Sequence, residues 1–504
     1  MKSRAMDLGE ICSILPLVSF RGRVDGIKVR DVVTDSRRVK PGALFVCLKG
    51  ARHDGHAFVP KAVRNGAAAV VAGRPLRSTV PVLEVRDTKL ALALASATFW
   101  GHASRYMDVV GITGTNGKTT TAYMLESILG SAGVPCALFG TVEYRFGPTT
   151  FRHEHTTDFS NDLQRLFATV RDSGAKAVVM EVSSHGLALS RVRGVSFRGG
   201  VFTNLTRDHL DFHGDMRRYF QAKGLLFSSL PSAEHGGLAV LNWDDKAGRR
   251  MAGLTRARIL RYSCAGGGRR GRFGDVGFHN LRADLLGTSF VIEEGGEKTA
   301  VRLHLLGGHN AANAVAAAAA ARGLGVETAK VKAGLESLEN VPGRMEKVAL
   351  RAPFSVLVDY AHTPDALERL LFAARRLGGR KLLTVFGCGG NRDRGKRPLM
   401  GEIATRLSDF SWVTSDNPRD EDPEEIIRGI SAGIRRVGSH SVMVDRREAI
   451  SRVLSAAGAG DVVVIAGKGH EAQQIVRGKT IPFSDKRVAM EEWRRLTRRG
   501  SGKR

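Results

Sequence analysis

Residues 109–129 read VVGITGTNGKTTTAYMLESIL: a β-branched apolar run, a loop broken by glycine and a helix-forming stretch. A strand that passes through a glycine loop straight into a helix opens a parallel α/β unit, because parallel neighbours need a crossover connection. In the common phosphate loop, G-x-x-x-x-G-K-[ST], a glycine stands six positions before the lysine. Here that position is Ile112, and the glycines are Gly114 and Gly117. The physics survives the altered spacing. The backbone N–H groups of Gly114, Thr115, Asn116 and Gly117 can curl round an anion, Lys118 adds a point charge, and the helix that opens with Thr119 and Thr120 adds its dipole. The Thr119 hydroxyl can also serve Mg²⁺. The expectation is a nucleotide-phosphate site, and on this motif alone a plain ATPase or kinase stays open.

The 504 residues suggest about three domains. Residues 1–107 read as small strands and turns. A second unit starts at the strand MDVVGIT, runs through repeated strand–helix alternation to the Ala-rich helix of 311–322, and ends near LENVPGRME. Beyond it, FSVLVDYAHTPDAL, KLLTVFGCGGNRDRGK, FSWVTSDNPRDEDP and DVVVIAGKGHE alternate strand and helix again, as a Rossmann-like domain would. The predicted division is 1–107, 108–342 and 343–504.

No apolar run approaches the roughly 18 residues of a membrane span, so membrane insertion is not expected. ICSILPLVSF is short and broken by Pro16, which argues against a signal peptide. Cys12, Cys47, Cys136, Cys264 and Cys388 form no C-x-x-C pair; reduced thiols and a cytoplasmic location follow. A formal charge of +27 would suit a nucleic-acid binder, yet Arg and Lys are spread along the whole chain, and no nucleic-acid partner is expected. GGGRRGRFGD at 266–275 is similar to an RGG segment but reads as a solvated loop, and the tail RRLTRRGSGKR as a frayed basic end.

GITGTNGKTTT resembles the ATP loop of the Mur ligases and folylpolyglutamate synthetases. The likeness continues in order through MEVSSHGL, FTNLTRDHLDFHG, YFQAKGLLF, LLGGHNAANAVAA, VPGRME, VDYAHTPDAL, FGCGGNRDRGKRPLMG, SDNPRDEDP and AGKGHE. Within the Mur ligase family these segments look like those of the members that add diaminopimelate to a cell-wall precursor. The resemblance implies an α/β fold in three domains: an N-terminal domain for the UDP-substrate, a central P-loop-type ATPase domain and a C-terminal Rossmann-like domain for the amino acid. It implies a monomeric ATP-dependent ligase using Mg²⁺. The substrates would be UDP-N-acetylmuramoyl-L-Ala-D-Glu and meso-diaminopimelate, joined through an acyl phosphate; an L-lysine-adding or other Mur or folate-type ligase is the alternative.

By the same resemblance, Lys118, Glu181, His209 and Lys223 carry the catalysis. Thr119, Glu181 and His209 would hold metal, with Lys223 carbamylated into a further ligand; without the likeness Lys223 reads as a solvated helix lysine. Glu181 ends the strand KAVVM, where a carboxylate suits Mg²⁺. HLDFH could suggest zinc, but phosphate chemistry favours magnesium, and His53 and His56 read as a turn. Asn310 and Asn313 open a helix, one as its N-cap and Asn313 as an adenine contact. Arg344 and Asp359 resemble residues that close over ATP phosphate and ribose, with a hinge near ENVPGR. Ser36 resembles a uridine-nucleotide contact, and Thr156, Thr157, Ser183 and Arg191 contacts to the muramoyl-dipeptide. Leu189 stands where that pattern usually has Gln.

DNPR, Asp416-Asn417-Pro418-Arg419, discriminates among amines. The far end of diaminopimelate is a zwitterion. A guanidinium can take its carboxylate as a two-pronged pair, which Arg392 and Arg419 can supply, with Asn417, Gly467 and Glu471 around the ammonium. Lysine lacks that carboxylate and would leave the arginines unpaired.

Overall fold

The computed structural model describes residues 4–50, 53–263, 275–435 and 438–501. The segment most similar to an RGG sequence, 264–274, and Cys264 lie outside these residues.

Three large sheets carry the chain. The first has five strands in the order Leu17–Arg21, Val82–Val85, Ala67–Ala72, Ala43–Val46, Asp31–Val33; only the outermost pair, Leu17–Arg21 with Val82–Val85, is antiparallel. The second has eleven strands, and Asp108–Thr113 lies inside it between Ala177–Glu181 and Gly199–Phe202, parallel to both. The chain leaves this strand towards both sides of the sheet, so its carboxyl end is a topological switch point, where a crevice opens for ligand. The third sheet has six strands, and Ser355–Asp359, Val462–Ala466, Leu382–Phe386 and Phe410–Thr414 run parallel in that spatial order.

These strands are continuous apolar runs because both faces are covered. All five residues of Ala177–Glu181 and of Val462–Ala466 are buried, as expected of parallel sheets between helices, and each fully buried Val or Ile contributes about 1.5–3 kcal/mol. The Ala-rich helix His309–Gly323 packs on the helix Lys118–Ser131 within one core; its small side chains let the two approach closely.

Two sequence expectations are corrected. Residues 276–303 do not continue the strand–helix alternation: Val276–Asp284, Gly287–Glu294 and Glu297–Leu303 form an antiparallel meander at the sheet edge, joined by the tight turns that Gly287, Gly295 and Gly296 allow at positive φ. The basic tail is no frayed end as far as Ser501, because the helix Asp485–Ser501 runs through it, anchored by Val488 and Ala489 in the core under the third sheet. Among the described residues no helix is long and apolar enough to cross a membrane.

Candidate active site

The loop after Thr113 is a cradle shaped by two glycines. Gly114 sits at φ +151° and Gly117 at +85°, regions costly for a side chain. A Cβ at Gly114 would meet Thr203 Oγ1 at 1.9 Å, and one at Gly117 would meet Asn313 Oδ1 at 2.4 Å. Both positions therefore need glycine for space as well as for backbone. Neighbouring strand ends brace the loop: Asn116 N–H donates to Asn204 Oδ1 at 2.9 Å, and Thr115 Oγ1 to the Thr206 carbonyl at 3.2 Å. Thr120 is buried on the first helical turn.

Two lysines converge on this loop. Lys118 Nζ donates to the carbonyls of Gly114 and Thr115 at 3.0 and 2.9 Å, and Lys223 Nζ to that of Gly114 at 2.8 Å. Lys223 is 1% exposed, which overturns its reading as a solvated lysine: the helix Met216–Ser228 turns this face inward, with the ammonium 4.6 Å from the centre of the Tyr219 ring. Burial pushes both ammonium groups below the usual lysine range, Lys223 far below, with the Lys118 charge as its second cause.

Thr119 Oγ1 donates to Glu181 Oε2 at 3.1 Å and accepts from Arg344 Nη2 at 2.9 Å. Thr141 holds the same carboxylate through its N–H at 2.7 Å and its hydroxyl at 2.9 Å. A hydroxyl and a carboxylate side by side at the phosphate loop are hard oxygen donors. They fit a Mg²⁺ ion that arrives on nucleotide phosphates, which needs only one or two protein ligands. His209 shares no hydrogen bond with them. It stands at φ +53° beside Asp208, its Nε2 3.4 Å from Asp208 Oδ2, with the ring 4.8 Å from that of His185. Among the described residues no three His, Cys, Asp or Glu side chains gather as a metal cluster. His56 is used up in its turn, with Nδ1 on Asp54 and Nε2 accepting from Gly73 N–H at 3.0 Å.

Neither Asn310 nor Asn313 caps its helix; the N-cap position is Gly308. Asn310 Nδ2 donates to the Leu306 carbonyl at 2.8 Å, and its Oδ1 receives Asn313 Nδ2 at 3.0 Å. This pair fixes the Asn313 amide against Gly117. Asp359 is no free carboxylate, since its oxygens accept the N–H groups of Met345 and Ala361, both at 2.7 Å; it shapes the turn that presents Arg344. Asp365, at the start of the next helix, accepts from Asn116 Nδ2 at 2.7 Å and Thr206 Oγ1 at 3.1 Å, tying the third sheet's layer to the phosphate loop.

A cleft of about 460 Å³ opens beside this junction. Asp208, His209 and His185 line one wall; Arg392, Asp416, Asn417, Arg419, Gly467 and Glu471 line the other. The second group comes from the carboxyl ends of three neighbouring parallel strands, Leu382–Phe386, Phe410–Thr414 and Val462–Ala466, where open α/β sheets bind ligand. Arg419 takes φ +55° and donates to the Gly390 carbonyl at 2.8 Å. Burial and then the neighbouring Arg392 charge lower its pKa, so two guanidinium groups wait together for an anion. Asp416 Oδ1 accepts the Asn417 N–H at 2.6 Å, whereas Oδ2 is buried and has no partner among the described residues; a Cβ at Gly467 would lie 2.5 Å from it. Pro418 is buried behind the wall, with its carbonyl packed where a Gly390 side chain would stand.

Lys468 escaped the sequence reading. Wholly buried, it donates to Asn417 Oδ1 at 3.0 Å and to Glu471 Oε2 at 2.9 Å, while Asn417 Nδ2 donates to the same Glu471 oxygen at 2.8 Å. The available signal was a lysine between two glycines at a strand end, in AGKGHE.

A larger cleft, of about 840 Å³, runs from Ser36, Asp35 and Arg37 to Phe159, Leu189 and Arg191. Arg191 stacks over the Phe159 ring at 4.3 Å and donates to the Thr157 carbonyl at 2.8 Å. Thr157 Oγ1 donates to the Glu181 carbonyl at 3.1 Å and accepts the Ser183 N–H at 3.0 Å. Ser183 caps its short helix through Gly186 N–H at 3.0 Å, and the Thr156 hydroxyl lies 3.1 Å from that of Thr141, whose own hydrogen goes to Glu181. Polar groups thus lead inward from this cleft to Glu181.

Three family models match: the Mur ligase family catalytic domain over residues 28–100, the Mur ligase middle domain over 112–321, and the Mur ligase glutamate ligase domain over 343–469. The chain is 43% identical over 490 residues to the UDP-N-acetylmuramoyl-L-alanyl-D-glutamate--2,6-diaminopimelate ligase of Syntrophomonas wolfei, covering 96% of this chain and 99% of that one. The chain belongs to the Mur ligase family. It is 44% identical over 459 residues to the enzyme of the same name from Geobacillus kaustophilus, covering 90% and 93% of the two chains. A solved Mur ligase structure with that name superposes with a TM-score of 0.69 at 32% identity over 98% and 99% of the two chains. Another Mur ligase, MurF from Thermotoga maritima in complex with ADP, shares the fold at 21% identity, with a TM-score of 0.63 over 93% and 97%.

Proposed function

We propose that the chain is an ATP-dependent ligase that joins meso-diaminopimelate to the side-chain carboxylate of D-Glu in UDP-N-acetylmuramoyl-L-Ala-D-Glu. One observation carries the reading: the cleft beside the phosphate loop pairs two guanidinium groups, Arg392 and Arg419, with the unpartnered Asp416 Oδ2 and with Glu471. That set suits an amino acid whose far end bears both a carboxylate and an ammonium. The names of the relatives agree with it.

Joining a carboxylate to an amine needs a leaving group on the carboxylate, and ATP supplies one as an acyl phosphate. Two anions must first approach each other, so positive charge belongs between them. Lys118 and Arg344 provide it from opposite sides of Thr119. Mg²⁺, held by Thr119 and Glu181, would neutralise phosphate charge, with His209 and a carbamylated Lys223 holding a second ion. Burial supports the Lys223 assignment, because an unprotonated amine is the form that captures CO₂. Thr115, Asn116 and Thr120 would complete the phosphate cradle, Asn313 would meet the adenine side, and Asp359 would act by holding the Arg344 turn. Ser36 would bind the uridine nucleotide, and Thr156, Thr157, Ser183 and Arg191 the dipeptide.

The domain limits would be 1–107, 108–342 and 343–504, in line with where the three sheets begin and end. A monomer and a cytoplasmic location belong to the same reading, and soluble nucleotide substrates support the second. Phosphate release from ATP and the UDP-dipeptide, measured with meso-diaminopimelate and with L-lysine, tests the reading. Preference for lysine would remove Arg419 from its role and favour the lysine-adding alternative.

A further inference from the structure

A reaction of this kind must also take a proton from the attacking amine, and the groups already assigned do not do so. Glu471 is bound by Lys468 and Asn417. Asp208 caps the His209 N–H at 2.8 Å, and His185 is stacked 4.1 Å from the Phe212 ring. We infer that His362 is the catalytic base for the incoming amine. The inference rests on the ligase reading above.

His362 follows the strand Ser355–Asp359 and precedes Thr363, the N-cap of the helix Pro364–Arg375. Its Nδ1 lies 2.8 Å from the carbonyl oxygen of Tyr360. A carbonyl only accepts, so Nδ1 carries the hydrogen, and the neutral ring keeps its lone pair on Nε2. Nε2 makes no hydrogen bond among the described residues, and the side chain lines the cleft that also holds Arg392, Arg419 and Asp416. Position completes the case. Three residues further on, Asp365 is bonded to Asn116 of the phosphate loop, so His362 stands between the wall that would hold the amino acid and the loop that would hold the activated carboxylate.

The surroundings favour the neutral ring. Burial is the first cause of its lowered pKa and the Lys396 charge the second; Asp208, the bond to the Tyr360 carbonyl and Asp416 act in the opposite direction. Lys396 Nζ donates to the His362 carbonyl at 2.8 Å, the Tyr360 ring lies 4.6 Å away, and the His470 ring is 5.0 Å from that of Tyr360. The positive end of the following helix acts in the same sense as Lys396. In the step itself, the amine lone pair bonds to the acyl carbon and the nitrogen's proton passes to Nε2. The carbon–oxygen bond to phosphate then breaks with its electron pair on phosphate, and the imidazolium returns its proton to solvent.

The test compares the wild-type chain with His362→Gln and His362→Asn, using two nucleophiles on the same UDP-dipeptide and ATP. Hydroxylamine is already unprotonated at neutral pH and traps the acyl phosphate as a hydroxamate without a base. With diaminopimelate, kcat falls about 10²–10³-fold in both variants, in the range for loss of a general base. The diaminopimelate KM and hydroxamate formation stay within about threefold of wild type. The residual amide rate climbs with pH as the free amine accumulates, whereas the wild-type rate levels off. Retained hydroxamate formation also reports an intact fold. An amide rate within about threefold of wild type, a change in KM alone, or an equal loss of both products would overturn the assignment. A wild-type chain that makes neither product would sink the ligase reading and the inference with it; one that makes both while His362→Gln matches it would sink the inference alone.

Discussion

The Arg344 guanidinium reaches the phosphate helix: its Nη2 lies 2.9 Å from Thr119 Oγ1. It comes from beyond the middle-domain match and is braced 4.9 Å from the centre of the Tyr360 ring. A planar, permanently charged group positioned where phosphoryl charge develops contributes to the transition state. Arg344→Ala is expected to lower kcat/KM for ATP about 10²–10³-fold in phosphate release. Arg344→Lys should recover only part of this, because an ammonium cannot reproduce the fork. Full activity in the alanine variant would separate Arg344 from phosphate chemistry.

What the sequence made legible follows from where the chemistry is local. The turn at Gly114, Gly117 and Lys118 could be read directly, because a strand-to-helix loop is built from consecutive backbone groups at one strand end. The buried runs 177–181 and 462–466 announced parallel strands through their β-branched residues. Burial of Lys223 was hidden, since it depends on which face of its helix meets the Gly114 carbonyl, a contact across 109 positions of chain. Lys468 was hidden in the same way, as its partner Asn417 is 51 residues distant. The meander at 276–303 eluded the strand–helix pattern because its turns rest on glycines that look, in sequence, like any loop.

Lys468 carries the next expectation. Its ammonium bonds Asn417 Oδ1 and Glu471 Oε2, and each keeps one other donor, the Ile475 N–H and Asn417 Nδ2, so Lys468→Met removes a charge-assisted bond from both. Loss of a hydrogen bond to a charged group costs about 1.5–3 kcal/mol. Chemical denaturation should register a loss of that size. The KM for diaminopimelate should rise about tenfold while the KM for ATP stays put, which corresponds to the low end of the same range. Equal effects on both substrates would mean that Lys468 supports the fold and does not position the specificity groups.

Lys223 predicts a dependence on dissolved CO₂. Its amine is buried, and burial pushes it well below the usual lysine range, towards the unprotonated form that can add CO₂. Removal of CO₂ from the buffer should lower wild-type turnover several-fold, and bicarbonate should restore it. Lys223→Ala should be weakly active and blind to bicarbonate. Wild-type turnover that ignores bicarbonate, together with an intact protein mass showing no adduct, would exclude the carbamate.

Arg419 and Arg392 share one wall of the cleft but not their surroundings. Arg419 is half-buried, locked at φ +55° and fastened to the Gly390 carbonyl, whereas Arg392 is exposed and donates to the Asn391 carbonyl next to it, at 3.2 Å. A charge-assisted bond in the drier setting is the stronger one, at about 1.5–3 kcal/mol. Arg419→Lys should therefore lower kcat/KM for diaminopimelate about 10–10²-fold, and Arg392→Lys by less. L-Lysine has no distal carboxylate to lose, so its kcat/KM should hardly move in either variant, and selectivity should narrow by nearly the whole of the Arg419 effect. Were Arg392→Lys the more damaging change, the exposed guanidinium would be the one that reads the substrate, and the bond from Arg419 to Gly390 would be a brace for the loop alone.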